Sequence, residues 1–456
     1  MAENIRGPLG QASPLNRRTV SSIADDARLV THDIAGSMAH ARMLESAGLL
    51  SREDAAAVQA GLRQILQEWT AGRFQLDEAH EDVHMNVERR LTEITPAGAR
   101  LHAGRSRNDQ IACDLKLWTL EACDTLLASL GQARAGLEEA ARRHTGALLP
   151  GITHMQHAQV VELAQVLGAW SAMLARDAAR FTDARRRCDV SPLGAAALAG
   201  SSLPLDPART ADDLGFAAVF DNPIDAVGDR DFTVEFIGAA ALLMAHLSQM
   251  AEILILWCTP EYGFVTLPDD LCTGSSLMPQ KRNPDMIEMV RGQAGGVTGD
   301  LVSALTTLKG LPFGYNRDLQ ALKAPLFRSF DVAHASLQVM TAAISRLQID
   351  RGRMLAQASD PQMLATDLAE HLVRQGVAFR EAHAAVARLA RRCADEGIAL
   401  SGLSLTRLRE AHPAFQPEIL SRLTPQASAA GRAPSTPAPL AGSARTPSRG
   451  SPRGNR

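Results

Sequence analysis

Apolar residues recur three and four positions apart over most of this chain, with polar residues on the opposite face. That period predicts amphipathic helices over 33–49, 51–71 and 84–91. It predicts long helices over 109–144, 154–188, 231–258, 285–308 and 325–349. The 231–258 stretch stands apart. It is apolar on almost every face, with His246, Ser248, Gln249 and Glu252 among the exceptions. A helix of that kind belongs in the centre of a bundle or inside an oligomer. Shorter helices are expected over 360–412, punctuated by Gly376, Gly397 and Gly402. Strand-like alternation is scarce and no internal repeat occurs, so the expected fold class is all-α.

Composition narrows this further. A chain of 456 residues exceeds one compact core and implies two or three domains. Aromatic residues make up only 4%, while Ala and Leu dominate, which favours helix. The net charge of −3 gives no basic field for nucleic acid. The six cysteines have no paired metal spacing and read as reduced thiols in a cytoplasmic protein. No secretory leader is expected from a start that carries Glu3 and Arg6. The longest apolar run, 236–245, is far short of a membrane span, so no membrane association is expected. Residues 425–456 hold five arginines, no Asp or Glu, and much Pro, Ser, Ala and Gly. That composition predicts a disordered tail.

The densest chemistry lies at Gly274-Ser275-Ser276-Leu277-Met278-Pro279-Gln280-Lys281-Arg282-Asn283-Pro284-Asp285. Two prolines constrain the loop. Asn283 reads as an N-cap and Pro284 as the first helical residue. A hydroxyl, an ammonium group and the positive end of a helix in one place suit chemistry beside a carboxylate. Three other segments carry polar groups in telling order. Arg105-Ser106-Arg107-Asn108 precedes a helix that Asn108 is placed to cap, and its arginines can grip carboxylates in bidentate fashion. Thr153-His154-Met155-Gln156 has the spacing of a capping box, which would put His154 in a first helical turn. Tyr315-Asn316-Arg317-Asp318-Leu319-Gln320 is followed by Lys323.

These strings together resemble the signature regions of the fumarase and aspartase superfamily, in its argininosuccinate lyase branch, to which the lens δ-crystallins are also similar. The resemblance covers roughly residues 19–424. It implies a three-domain fold: an N-terminal helical domain (1–106), a central long-helix bundle (107–355) and a small C-terminal helical domain (356–424), with the tail (425–456) beyond. It implies a β-elimination that splits argininosuccinate into arginine and fumarate. Ser275 matches the catalytic base, and Lys281 and Asn283 match the groups that hold the substrate carboxylate and its developing charge. His154, paired with Glu288, matches the proton-transfer pair, with Thr153 beside it on substrate. Arg105, Arg107 and Asn108 match carboxylate contacts, and Ser22, Tyr315, Gln320 and Lys323 match contacts to the amino-acid end. The family assembles as homotetramers with sites shared between subunits, and needs no metal or organic cofactor.

The Trp-Gly-Gly-Arg-Phe start and the glycine-rich closing segment usual in the family are missing, and several departures fall within the matched strings. Ala103 stands where a threonine is usual, His157 replaces an arginine and Val160 a proline. Ala321 and Leu322 replace an acidic pair. That last change motivates two alternatives: a lyase for another N-succinyl amino acid or amine, or a catalytically silent structural relative. One pattern points elsewhere. His80-Glu81-Asp82-Val83-His84 fits H-E-x-x-H, which would set two histidines on one helical face. A zinc site needs a third ligand as well, and none follows at a suitable spacing. No phosphate-binding or dinucleotide-binding glycine pattern occurs.

Overall fold

The computed structural model of the chain describes residues 13, 15, 19–77 and 79–432. The principal elements are α1 (Val30–Ser46), α2 (Arg52–Thr70), α3 (Val83–Ile94), α4 (Arg107–Arg143), β1 (Leu148–Thr153), β2 (Gln156–Glu162) and α5 (Leu163–Cys188). They continue with α6 (Asp231–Cys258), α7 (Asp285–Leu308), α8 (Lys323–Ser345), α9 (Ala365–Arg374), α10 (Phe379–Glu396), α11 (Leu405–Ala411) and α12 (Pro425–Ala430). The fold is all-α, as the periodicity predicts, and the strands form only two-stranded pairs. Local chemistry sets many helix ends. Ser51 caps α2 by accepting the Asp54 N–H at 3.0 Å, with Glu53 and Asp54 complementing the helix dipole. Gly397 closes α10 with φ 69°, a left-handed cap that glycine adopts without strain.

Three sequence expectations are corrected. Residues 154–162 are not the start of a helix. They form the turn and second strand of an antiparallel hairpin in which Thr153 pairs directly with Gln156. Positions three apart suit a capping box and also the two ends of a tight turn, and the β-branched Ile152, Thr153, Val160 and Val161 favour the strand. His154 and Met155 supply the turn with φ of 52° and 59°. Asn108 is not the cap of α4. Ser106 is: its Oγ accepts the Asn108 N–H at 3.2 Å, and its own N–H donates to Asp109 at 3.0 Å. Asn283 does not cap α7, which starts at Asp285. Its backbone instead pairs both ways with Thr273.

The chain divides into two compact units. The first holds the described chain up to Gly131, then Ala175–Gln249 and Met289–Gln338. In it, Ile34, Leu44, Val58, Leu62, Ile65, Val87 and Leu91 knit α1, α2 and α3 into one core. Trp118 stands edge-on to Phe327, centroids 4.6 Å apart, in the same unit. The second unit holds Gln132–Leu174, Met250–Glu288 and the described chain from Val339. Its core gathers Leu368, Leu372, Val386, Leu389, Leu408 and Phe415 from α9 to α11 and beyond. Trp170 stacks on Trp257 there at 6.0 Å. The tail expected from 425 first contributes α12, just past which Arg432 donates to Asp367 at 2.9 Å; residues 433–456 lie outside the described residues.

A loop at 194–197 is clamped to the start of α4. Asp109 accepts the N–H groups of Gly194 at 3.2 Å and Ala196 at 2.9 Å, and Asn108 donates to the Ala197 carbonyl at 3.0 Å. Ala196 pays for this with φ 52°. A left-handed alanine costs about 1–2 kcal/mol, and a glycine there loses about 0.4–1 kcal/mol through a freer unfolded chain. Ala196→Gly is therefore expected to stabilise the protein by up to about 1 kcal/mol. Urea denaturation checks it; a lower midpoint would mean that the methyl group gains more in packing than its backbone loses.

Candidate active site

The residues picked from sequence fall into two groups, one in each compact unit. In the first unit, Ser22, Asp26 and Lys323 form a buried chain: the Ser22 hydroxyl and the Lys323 ammonium both donate to the Asp26 carboxylate. Lys323, expected to touch substrate, is thus engaged inside the fold across 297 positions of sequence. Ser22 is held further by its N–H, which donates to the Glu81 carbonyl at 3.1 Å. Gln320 donates to the Tyr315 hydroxyl at 3.1 Å. The backbone behind them is close-packed, since a Cβ on Gly228 would come within 2.9 Å of the Gly314 carbonyl oxygen.

The arginine loop is set from two sides. Arg107 donates to Asp82 at 2.9 Å, and Arg105 donates to the Ser37 hydroxyl at 3.0 Å. Asp109 behind them has its carboxyl pushed up to about 6 by burial, against the pull of its N–H donors and of Arg105. The H-E-x-x-H pattern does not form the expected helical face. α3 begins only at Val83, Asp82 caps it by accepting the Met85 N–H at 2.8 Å, and His80 lies outside it near Asp77. His84 instead joins Asp33 and Asp114 in the interior, with donor atoms within 4.8 Å of one another. In this trio His84 Nδ1 lies 2.7 Å from Asp33 and 3.6 Å from Asp114. Burial alone would lower the His84 pKa, but Asp33, Asp82 and Asp114 outweigh it and raise it to about 9. An ion binding there would have to displace that proton.

In the second unit, the loop from Thr273 to Asn283 is stapled at its base. The Thr273 and Asn283 backbones exchange hydrogen bonds of 3.0 and 2.8 Å, and the Asn283 side chain donates to the Gly274 carbonyl at 3.4 Å. Inside the loop the Ser275 Oγ accepts two backbone N–H groups, from Met278 at 3.0 Å and Leu277 at 3.3 Å. Lys281 is in the same loop and exposed, and Glu288 is in the first turn of α7, also exposed. Thr153 and His154 sit exposed at the hairpin tip. Oxygen, amide donors and a helix N-terminus thus lie along one short segment, an arrangement suited to holding negative charge.

Sequence reading missed the buried polar layer of the first unit. Asp33, Ser37 and His40 are all buried on α1. Their spacing of four and three along a largely apolar helix was the available signal. Arg230 is a further buried charge in this unit. It is fully buried, donates to the Asp229 carbonyl at 2.6 Å, and is lowered by burial to about 10.

Comparison with known proteins follows these features. Residues 9–299 match a family described as Lyase, and residues 362–430 match one described as Argininosuccinate lyase C-terminal. An argininosuccinate lyase of Nitrosococcus oceani is 46% identical over 413 residues, covering 90% of this chain and 88% of its own. One of Halorhodospira halophila is 47% identical over 416 residues, covering 91% and 90%. Among solved structures, EDDS lyase in complex with formate superposes with a TM-score of 0.78 at 28% identity, over 92% of this chain and 85% of its own. The class II fumarase of Schistosoma mansoni superposes at 0.76 with 16% identity, over 92% and 94%, a likeness of fold alone.

Proposed function

The chain belongs to the argininosuccinate lyase family of the fumarase/aspartase superfamily, and from that premise we propose how its residues divide the work. It is a lyase that splits argininosuccinate into arginine and fumarate, a step of arginine biosynthesis. The reaction removes a weakly acidic proton beside a carboxylate, forms the C=C bond of fumarate from that electron pair, and breaks the C–N bond to the guanidino nitrogen. Ser275 takes the proton. The observation that carries this assignment is the pair of N–H groups on its Oγ, from Leu277 and Met278. Donors already in place stabilise an alkoxide without reorganising when it forms. Lys281, Asn283 and the start of α7 stabilise the dianion that proton removal builds. His154, with Glu288, returns a proton to the departing nitrogen. Arg105, Arg107 and Asn108 hold carboxylates, Thr153 binds substrate next to His154, and Ser22, Tyr315 and Gln320 hold the amino-acid end. Lys323 reaches that end through Asp26 and Ser22. None of these steps calls on a metal or organic cofactor.

The test is direct. Purified protein with argininosuccinate should release fumarate, read by ultraviolet absorbance, with arginine in equal amount. Turnover confined to other N-succinyl amines would move the assignment to them and point to Ala321, which is exposed where Leu322 is buried. No turnover of any such adduct would favour the silent relative.

The assembly reading rests on uncovered apolar surface. The most apolar eighteen residues of α6 have a mean hydropathy of 1.7, yet only 44% of them are buried within one chain. By length and composition this helix could cross a membrane, which the short apolar run did not suggest. Met289, Val302 and Leu305 on α7 are each more than half exposed. Copies of this chain would cover that surface, and a closed D2 tetramer is a common solution. The Ser275 loop and His154 are open to water in a single chain, whereas stabilising a dianion calls for a water-excluded site. The proposal is a cytoplasmic homotetramer whose sites draw on several subunits, with the free cysteines in keeping with a reducing compartment. Mixing Ser275→Ala with His154→Asn chains, each inactive alone, should restore partial activity once subunits exchange. No recovery despite proven exchange, or an active monomer by light scattering, would sink the shared site.

A further inference from the structure

We propose that Ser37, on the buried polar stripe of α1, is a positioning residue that aims the Arg105 guanidinium at the substrate, braced from beneath by Asp33 and His84. This rests on the reading of Arg105 as a carboxylate contact. From Leu101 to Ser106, between a 3-10 helix (Pro96–Arg100) and α4, the chain is turn and irregular backbone, which by itself fixes side chains poorly. α1 holds it at three heights. His40 donates from Nε2 to the Ala103 carbonyl at 3.0 Å, Ser37 accepts from Arg105 at 3.0 Å, and Asp33 accepts from Gln110 in the first turn of α4. Positions 33, 37 and 40 fall on one face of a helix, so a single rigid element sets all three points.

The layer under Arg105 is rigid for electrostatic reasons. Asp33 accepts the His84 Nδ1–H at 2.7 Å, with both residues buried. Burial would raise the Asp33 pKa, but His84, Arg105 and the Gln110 donor hold it below the usual carboxylate range. Asp114, equally buried, lies 3.6 Å from the same imidazole nitrogen, and neither of its oxygens has a hydrogen-bond donor among the described residues. Two carboxyl groups this close and this dry do not both ionise. Asp33 keeps the charge, and Asp114 keeps the proton. His40 stays neutral, because burial and then Arg105 depress it to about 3. The space left among Asp33, Ser37, His84, Arg105 and Gln110 is about 10 Å³, room for one water at most. Arg105 therefore has little free volume on this side into which to swing. An apolar interior of equal volume would be at least as stable. What the polar stripe adds is direction.

Steady-state kinetics on the full-length protein test this. Ser37→Ala should raise KM for argininosuccinate about tenfold with kcat within about twofold of wild type, the mark of lost ground-state grip. Ser37→Thr, which restores a hydroxyl, should recover most of it. In an Arg105→Gln background, Ser37→Ala should add nothing. Asp114→Asn should leave both constants near wild type, whereas Asp33→Asn should raise KM as Ser37→Ala does. An unchanged KM in Ser37→Ala, full additivity with Arg105→Gln, or equal damage from Asp114→Asn and Asp33→Asn would overturn the proposal. If Arg105→Gln alone changes nothing, the reading of Arg105 as a substrate contact fails first, and the two failures are thereby told apart.

Discussion

Ser275→Ala is expected to lower kcat by about a hundredfold or more, the usual cost of losing a positioned general base. KM should change little, because binding rests on other groups. The side chain lost is small and sits in a loop, so the fold should survive. The loop is stapled through the Thr273 and Asn283 backbones and by Asn283 to the Gly274 carbonyl, none of which involves the serine hydroxyl. What disappears with the hydroxyl is the acceptor for the Leu277 and Met278 N–H groups. Circular dichroism and an assembled mass equal to that of the wild type serve as controls. Turnover near the wild-type value in a correctly assembled Ser275→Ala protein would remove Ser275 from the role of base.

Lys323→Met is expected to destabilise the protein by about 3–5 kcal/mol, the range seen when one partner of a buried ion pair is removed. Lys323 and Asp26 are both essentially inaccessible to solvent, so the substitution leaves the Asp26 carboxylate with the Ser22 hydroxyl as its one remaining side-chain partner among the described residues. The double variant Asp26→Leu with Lys323→Met should recover much of the loss, since replacing a whole buried pair with apolar side chains is often neutral. Denaturant midpoints measure all three proteins. A Lys323→Met protein of wild-type stability but raised KM would return Lys323 to the role of a substrate contact, which its place in the family pattern implies.

The long helices were legible because their apolar faces persist over many turns. The limits of α6 and α7 coincide with those expected from periodicity alone. The hairpin at 148–162 was not, because a two-residue turn and a capping box share the same spacing, and the second strand runs straight into α5. Capping assignments slipped for a related reason. Ser106 and Asn108 are both good caps by type, and only the fold gives Asn108 another partner, the Ala197 carbonyl. At the site, the strings around Ser275, Arg105 and Tyr315 announced chemistry through their residue types. What each side chain touches was out of reach. The Lys323–Asp26, Arg105–Ser37 and His84–Asp33 contacts join residues 51 to 297 positions apart. No local pattern encodes such a pairing. For the same reason the local pattern pairs His84 with His80, whereas the fold sets it against Asp33.

The turn at the hairpin tip narrows what evolution can try at residue 154. With φ of 52°, that position disfavours most side chains on backbone grounds, a cost that Met155 beside it also bears at φ 59°. Glutamate or lysine could in principle deliver a proton, yet neither is at home in a left-handed conformation. Asparagine and aspartate fit the backbone well, but asparagine carries no titratable proton and aspartate ordinarily gives its own up far below neutral pH. Histidine is the residue that satisfies both filters, being enriched in left-handed backbone and titrating near neutrality. A replacement of His154 by a side chain poorly suited to the left-handed region therefore adds a backbone cost of about 1–2 kcal/mol to the turn, separate from whatever it does to proton transfer.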